Sequence, residues 1–128
     1  MAHAPIDYDR RILVRWLLIL NGMILIMICI GGVTRLTDSG LSMVNWNLFM
    51  GMIPPTSETD WAATFAEYQA HPEYQLLRPT MDLEDFKKIF FWEYLHRMWG
   101  RLIGFAWLCP YLYILARKTM RNLTGPQA

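Results

Sequence analysis

Four ionisable side chains lie within the apolar stretch FFWEYLHRMWGRLIGF, which covers residues 90–105. They are, in chain order, Glu93, His96, Arg97 and Arg101. On a helix, residues three and four apart share a face, so these side chains form one polar stripe together with Gly100 and Gly104. Glu93 and Arg97 stand at helical i, i+4 spacing and can partly neutralise each other. Because a charge near lipid is costly, such a stripe needs a physical explanation.

Four explanations of the stripe are possible, and the first of them involves no specific function. Its charges could extend to lipid headgroups, or Glu93 and His96 could relay protons or ions. The G-x-x-x-G spacing of Gly100 and Gly104 could pack one helix against another. In a haem site, His96 would bind iron, Gly100 would leave room for a flat macrocycle, and the arginines would pair with propionates. The residues by themselves leave all four alternatives open.

The composition indicates a membrane protein. Of the 128 residues, 54% are hydrophobic and only 18% are charged, and the net charge is +1. We predict an all-α membrane fold with transmembrane helices over 16–33 and 89–116, joined by a long, partly helical outer loop over 34–88. Residues 1–15 and 117–128 flank these spans. We expect membrane lipid, and no nucleic acid, among the partners.

The distribution of charge predicts the orientation in the membrane. Basic residues precede the first predicted span and follow the second, whereas acidic residues are concentrated in the loop between them. Because basic residues accumulate on the cytoplasmic side, both termini should be cytoplasmic in a bacterial inner membrane, or face the matrix in a mitochondrial inner membrane. The two cysteines, Cys29 and Cys109, lie in apolar runs, so no disulfide framework is predicted.

The outer loop carries two helix-start signals. In PPTSETDWAATFAEYQ, Ser57 and Asp60 follow Pro55 at the spacing of a capping box. In MDLEDFKKIFF, Asp82 is a candidate cap ahead of the second span. We therefore predict one or two amphipathic helices on the outer face. The apolar side of the first one would consist of Trp61, Phe65 and Tyr68.

Four segments together resemble the amino-terminal region of haem A synthases of the proteobacterial and mitochondrial type. They are, in order, GGVTRLTDSGLSMVNW, GMIPPTSETDW, YQAHPEYQ and FFWEYLHRMWGRLIGF. Members of that family oxidise haem O to haem A for cytochrome oxidase. The resemblance covers essentially the whole chain. It implies a fold of eight transmembrane helices in two similar four-helix halves, each half supplying a pair of histidines for one haem, so this chain would be part of a four-helix half-bundle.

The resemblance also assigns roles to individual residues. The Glu-x-x-His motif of the family matches Glu93 and His96. His96 would then be an axial ligand to the iron of haem O, and Glu93 the carboxylate implicated in converting a ring methyl into a formyl group. Arg97 and Arg101 match basic positions after the motif, and their charge suits pairing with propionates. Arg35, at the outer end of the first span, is expected to join the same electropositive rim.

The function implied by the resemblance is that of an oxidoreductase acting on haem O. The chain ends after the second span, so we expect a fragment or a truncated product that is inactive alone and needs the remaining helices of the synthase, which would also hold a haem b. A homo-oligomer or a haem O synthase is a further candidate partner. The alternative hypothesis is a non-catalytic membrane module that carries haem or assists assembly.

Overall fold

The structure, a computed structural model, describes residues 4–44 and 52–124. Within these ranges the chain forms α-helices and no strands. The helices are α1 (Ala4–Leu36), α2 (Glu58–Gln69), α3 (Pro72–Leu77) and α4 (Leu83–Thr124). The predicted all-α fold class is confirmed, and its two long helices are joined by a partly helical connection.

The long helices α1 and α4 are suited to crossing a membrane. Their segments Arg10–Leu36 and Leu83–Arg117 are long and apolar enough to span the hydrocarbon core. The predicted spans 16–33 and 89–116 lie inside these segments, and both helices extend further at each end. Large apolar side chains of α1, such as Leu18 at 65% exposure, lie on its surface. A helix with such a surface must be covered by lipid or by other helices, so the chain is an all-α membrane protein.

Both helix starts predicted in the loop are present. The side chain of Ser57 accepts a hydrogen bond from the Asp60 amide at 3.1 Å, and Asp60 accepts one from the Ser57 amide at 3.3 Å. Hydrogen bonds to the Asp60 carboxylate, first from the side chain of Ser57 and then from its amide, lower the pKa of Asp60. At the second start, Asp82 Oδ1 accepts the amide of Asp85 at 2.8 Å. The segment after Asp82 is therefore the first part of α4 and not a separate amphipathic helix.

The chain divides into two compact units, and α1 and α4 pass through both. The first unit comprises Met1–Ile26 and Gly100–Ala128, and the second unit comprises Met27–Trp99. In the first unit the indole nitrogen of Trp16 donates a hydrogen bond to the carbonyl of Ala106 at 2.7 Å. This bond joins α1 to α4.

An aromatic core holds the second unit together. Its buried members are Tyr68, Phe86, Ile89 and Phe90. Tyr68 of α2 stacks on Phe86 of α4 with ring centroids 5.1 Å apart, and Trp61 contacts Phe90 edge to face at the same distance. The predicted apolar side of α2 therefore packs on the first turns of α4, as its sequence pattern required.

Candidate functional site around Glu93 and His96

Glu93 is a buried carboxylate with hydrogen-bond donors on both oxygens. Its side chain is on α4 and the residue is 3% exposed. Oε2 accepts from the hydroxyl of Ser42 and from the amide of Met43, each at 2.7 Å, and Oε1 accepts from Arg97. A buried carboxylate is stable only when it is paired and hydrogen-bonded, and donors on both oxygens suit its ionised form. The predicted ion pair of Glu93 with Arg97 is confirmed.

The segment after α1 brings these donors to Glu93. Asp38 adopts the left-handed conformation, with φ at 48°, in which a short polar residue is tolerated and the chain reverses. The amide of Ser39 then donates to the carbonyl of Thr34 at 2.9 Å. The Ser42 hydroxyl lies near both the Ser39 carbonyl and Glu93. Because a hydroxyl has one proton, the carboxylate takes it as the stronger acceptor.

Arg97 connects the same segment to α4. Its Nη2 atom donates to the carbonyl of Met43 at 3.1 Å and also pairs with Glu93. The amide and the carbonyl of Met43 are thus both bound, one by each member of the ion pair. Arg97 therefore fixes the carboxylate and the backbone beside it. Its predicted pairing with a propionate would have to use donors other than these contacts, and it stays a prediction.

His96 lies against the backbone of α1. A Cβ atom built on Gly31 would come within 3.2 Å of His96 Nε2. One turn further along α1, the hydroxyl of Thr34 bonds the carbonyl of Ile30 at 2.9 Å and lies 3.4 Å from that of Trp92. The face of α1 that carries Gly31 and Thr34 therefore packs on α4 beside the histidine. The imidazole can occupy this position because residue 31 has no side chain.

Three further site residues were predicted from the sequence, namely Gly100, Arg101 and Arg35. Gly100 and Arg101 belong to the first unit, where both are half-buried, and Arg35 is exposed in the last turn of α1. The structure therefore brings Glu93, His96 and Arg97 together on α4. That Arg35, Gly100 and Arg101 contribute to the same site stays a prediction.

Sequence reasoning missed three participants: the Ser42 hydroxyl, the Met43 amide and Gly31. A signal for them exists in GGVTRLTDSGLSM, where glycines and hydroxyl residues follow the first apolar run. Short polar residues at the end of a membrane helix are suited to bonding a buried group on a neighbouring helix. The segment alone does not say which group that is.

Arg78 ties the end of α3 to the segment that carries Ser42 and Met43. Its Nη2 atom donates to the carbonyls of Thr37 and Asp38 at 3.0 Å and 3.3 Å, and it lies 3.7 Å from Asp38 Oδ2. Residues 37–44 are thereby held from both sides, by Arg78 and by the ion pair of Glu93 with Arg97 on α4. Arg78 is a positioning residue for the donors of Glu93.

We expect Arg78→Ala to speed hydrogen exchange of the Met43 amide. Hydrogen bonds from a charged group contribute about 1.5–3 kcal/mol, so the exchange rate should rise about tenfold or more. Mass-spectrometric or NMR exchange in detergent measures this rate. Lys88→Ala, which removes an exposed ion pair with Asp85, serves as the control. An unchanged rate for the Met43 amide in Arg78→Ala would show that the segment does not depend on this contact.

Comparison of the sequence with known proteins places this chain in one family. The model described as "COX15-CtaA: Cytochrome oxidase assembly protein" matches residues 14–127. A protein of Rhodospirillum centenum named "Heme A synthase" is 49% identical over 87% of this chain and 30% of its own length. "Heme A synthase COX15" of Bos taurus is 50% identical over 94% of this chain and 30% of its own length.

The human relative matches this chain with similar identity and coverage. "Heme A synthase COX15" of Homo sapiens is 50% identical over 85% of this chain and 27% of its own length. The chain thus spans less than a third of the length of these curated relatives. No solved structure matches it.

Proposed function

Because the chain belongs to the COX15-CtaA family of cytochrome oxidase assembly proteins, we propose that it is the amino-terminal part of a haem A synthase. Its substrate is haem O, and the reaction converts a ring methyl into a formyl group. The remaining helices of the enzyme complete the site and carry the second haem, a haem b, and the electrons pass to an acceptor outside this chain. A haem O synthase donates the substrate by direct contact, and the chain self-associates.

The observation that carries the proposal is the setting of Glu93. The oxidised carbon becomes electron-poor as it loses hydride equivalents, and a fixed carboxylate stabilises such a centre or accepts the proton of attacking water. Glu93 is held by hydrogen bonds from Ser42, Met43 and Arg97. An ionised carboxylate has about four lone-pair sites, so Glu93 can accept a further hydrogen bond. It is therefore oriented and still able to bind a water molecule.

His96 would supply one axial bond to the iron of haem O, with its imidazole moved from the position in which Nε2 lies against Gly31. It stands one helical turn after Glu93 on α4, so haem O held by His96 would lie near the carboxylate. Arg97, Arg101 and Arg35 are the candidates for pairing with the propionates, and Gly100 for close approach of the ring. The second axial histidine of this half comes from the remaining helices.

A complementation experiment tests the proposed function. The chain is produced in a bacterium that makes haem O and lacks its own haem A synthase, together with the remaining helices of the Rhodospirillum centenum relative as a second polypeptide. Haems are then extracted and identified by mass. We expect haem A from the pair, and only haem O when either polypeptide is produced alone.

The matched control replaces this chain with the corresponding amino-terminal third of the relative itself. If that third yields haem A and this chain does not, the proposed function is wrong. Purified chain that forms oligomers without haem would instead support the non-catalytic membrane module.

We expect Gly31→Val to weaken haem binding through His96. A Cβ at this position already comes within 3.2 Å of His96 Nε2, and the methyl groups of valine would displace the imidazole. Titration of the complemented protein with haem should give at least a tenfold weaker affinity, equivalent to about 1.4 kcal/mol.

Gly32→Val is the matched control, because a Cβ at Gly32 meets nothing within 4 Å. Both variants place the same residue in the same turn of α1, so they share any change in helix propensity. Equal affinities of Gly31→Val and Gly32→Val would mean that the imidazole does not depend on the space at residue 31.

We propose that the connection between α1 and α4 faces the outside and that both termini are cytoplasmic, or face the matrix in mitochondria. The basic ends of the chain support this orientation. A cysteine replacing Gln75, which is exposed on α3, should be labelled by a membrane-impermeant reagent from outside intact cells. The native thiols Cys29 and Cys109 are first replaced by alanine. Asn122→Cys is the control for the cytoplasmic side, and labelling of that residue alone would reverse the orientation.

A further inference from the structure

The proline inside α4 leaves one carbonyl of that helix without its usual donor. Pro110 lies within the apolar segment Leu83–Arg117. In an α-helix each carbonyl accepts the amide of the residue four positions later, and proline has no amide proton, so Pro110 removes the donor of the Ala106 carbonyl. In the hydrocarbon core no water can replace that donor, and an unpaired carbonyl there is costly. Ala106 therefore needs a donor from outside α4.

Trp16 of α1 supplies this donor. Its indole nitrogen donates to the Ala106 carbonyl with an N···O distance of 2.7 Å. An indole nitrogen can only donate, so Trp16, which lies in the apolar segment Arg10–Leu36, needs an acceptor just as Ala106 needs a donor. The two unmatched groups satisfy each other, and both belong to the first unit of the chain.

The burial of the neighbouring residues agrees with a contact between the two helices. Leu20, one turn after Trp16 on α1, is 7% exposed, whereas the intervening Leu18 is 65% exposed. Residues four apart share a face of a helix, so the face with Trp16 and Leu20 is covered and the face with Leu18 is not. On α4, Ala106 and Pro110 are half-buried, and the three residues between them are exposed. Within the first unit, the hydrogen bond thus lies on the covered faces of both helices.

We propose that Trp16 and Pro110 act as one lock, in which the proline frees a carbonyl of α4 and the indole of α1 binds it. The lock makes α1 the membrane partner that α4 requires, so the two helices assemble as a pair before any further helices join them. This inference goes beyond the proposed function, because it concerns assembly in the membrane and involves no haem. It predicts that the indole of Trp16 matters only while residue 110 is proline.

A double-mutant cycle tests the lock in the purified chain. Both native thiols are replaced by alanine, and dyes are attached to cysteines that replace Ile12 and Ile114, which are exposed. Energy transfer between the dyes reports the association of α1 with α4 as a denaturing detergent is added. Trp16→Phe should weaken this association about tenfold, because the Ala106 carbonyl loses its donor. In Pro110→Ala the amide of residue 110 binds that carbonyl, so Trp16→Phe should then change the association less than about twofold.

The cycle separates the hydrogen bond from packing. Trp16→Phe removes the same ring volume in both backgrounds, so an effect of packing cancels in the comparison. Trp107→Phe, which changes an exposed indole of α4, is the matched control and should leave the association unchanged in both backgrounds. If Trp16→Phe weakens the association equally with proline and with alanine at residue 110, the proposal is overturned.

A second experiment tests the lock in the membrane of a living cell. The chain is produced without the remaining helices, and its lifetime is measured by pulse–chase labelling, since proteases remove membrane chains that fail to assemble. We expect Trp16→Phe to shorten the lifetime about threefold or more, and Pro110→Ala in the same chain to restore it. A lifetime that Pro110→Ala does not restore overturns the proposal. A stable, locked chain whose complemented form makes no haem A contradicts the proposed function instead and supports the lock.

Discussion

Replacing His96 with alanine is expected to abolish haem binding when the chain is completed by the remaining helices. His96 offers an imidazole on α4 one helical turn after Glu93, and an axial nitrogen is what holds the iron in such sites. Removing it leaves the iron with one protein ligand at most. The absorption spectrum of the purified complex, titrated with haem, measures the change, and the low-spin bis-histidine signal should disappear.

His71→Ala is the matched control for this prediction. It removes an imidazole from the same unit of the chain, ahead of α3, and should leave the haem spectrum intact. The isolated chain should bind haem weakly, with one axial histidine, and bind more tightly once the other helices are present. If His96→Ala retained the wild-type spectrum, the polar stripe on α4 would be a set of surface charges on a membrane anchor.

The parts of the fold that sequence reasoning predicted are those with local causes. The two long helices follow from apolar runs of sufficient length, and α2 starts where Ser57 and Asp60 form a capping box. The apolar side of α2 follows from helical spacing, and Tyr68 of that side is fully buried. The short helix α3 was missed, because its six residues carry too little periodicity to stand out, although Pro72 marks its first turn.

The candidate site was predicted only as far as it lies on one helix. The pair of Glu93 with Arg97 is a spacing within α4, so sequence alone indicates it. The bonds from Ser42 and Met43 join residues 51 and 50 positions apart, and they exist because the turn at Asp38 returns the chain to α4. Likewise, the contact of Gly31 with His96 depends on how two helices pack, which helical spacing does not determine.

The structure changes which variant of Glu93 is informative. Glu93→Ala removes the acceptor of Ser42, Met43 and Arg97 together and leaves a half-buried guanidinium unpaired. Breaking a buried ion pair from one side costs about 3–5 kcal/mol, so this variant should also loosen the segment after α1. Loss of activity in Glu93→Ala would then have two causes. Glu93→Gln retains the shape and one carbonyl oxygen, and it removes the charge.

Glu93→Gln is expected to bind haem O and fail to oxidise it. A neutral amide neither stabilises positive charge on the substrate carbon nor accepts a proton from water, and general-base catalysis alone contributes about 10²–10⁴-fold to a rate. Haem extraction from the complemented enzyme should therefore yield haem O with little or no haem A, while the haem spectrum given by His96 persists.

Ser42→Ala distinguishes the charge of Glu93 from its hydrogen bonds. This variant removes one donor from Oε2 and keeps the carboxylate and its pair with Arg97. Because a hydrogen bond to a charged group contributes about 1.5–3 kcal/mol, Ser42→Ala should lower the rate of haem A formation by less than Glu93→Gln does. If Glu93→Gln formed haem A at the wild-type rate, the carboxylate would only hold the segment between α1 and α2 in place. The oxidation would then depend on groups of the remaining helices, and α4 would contribute the iron ligand alone.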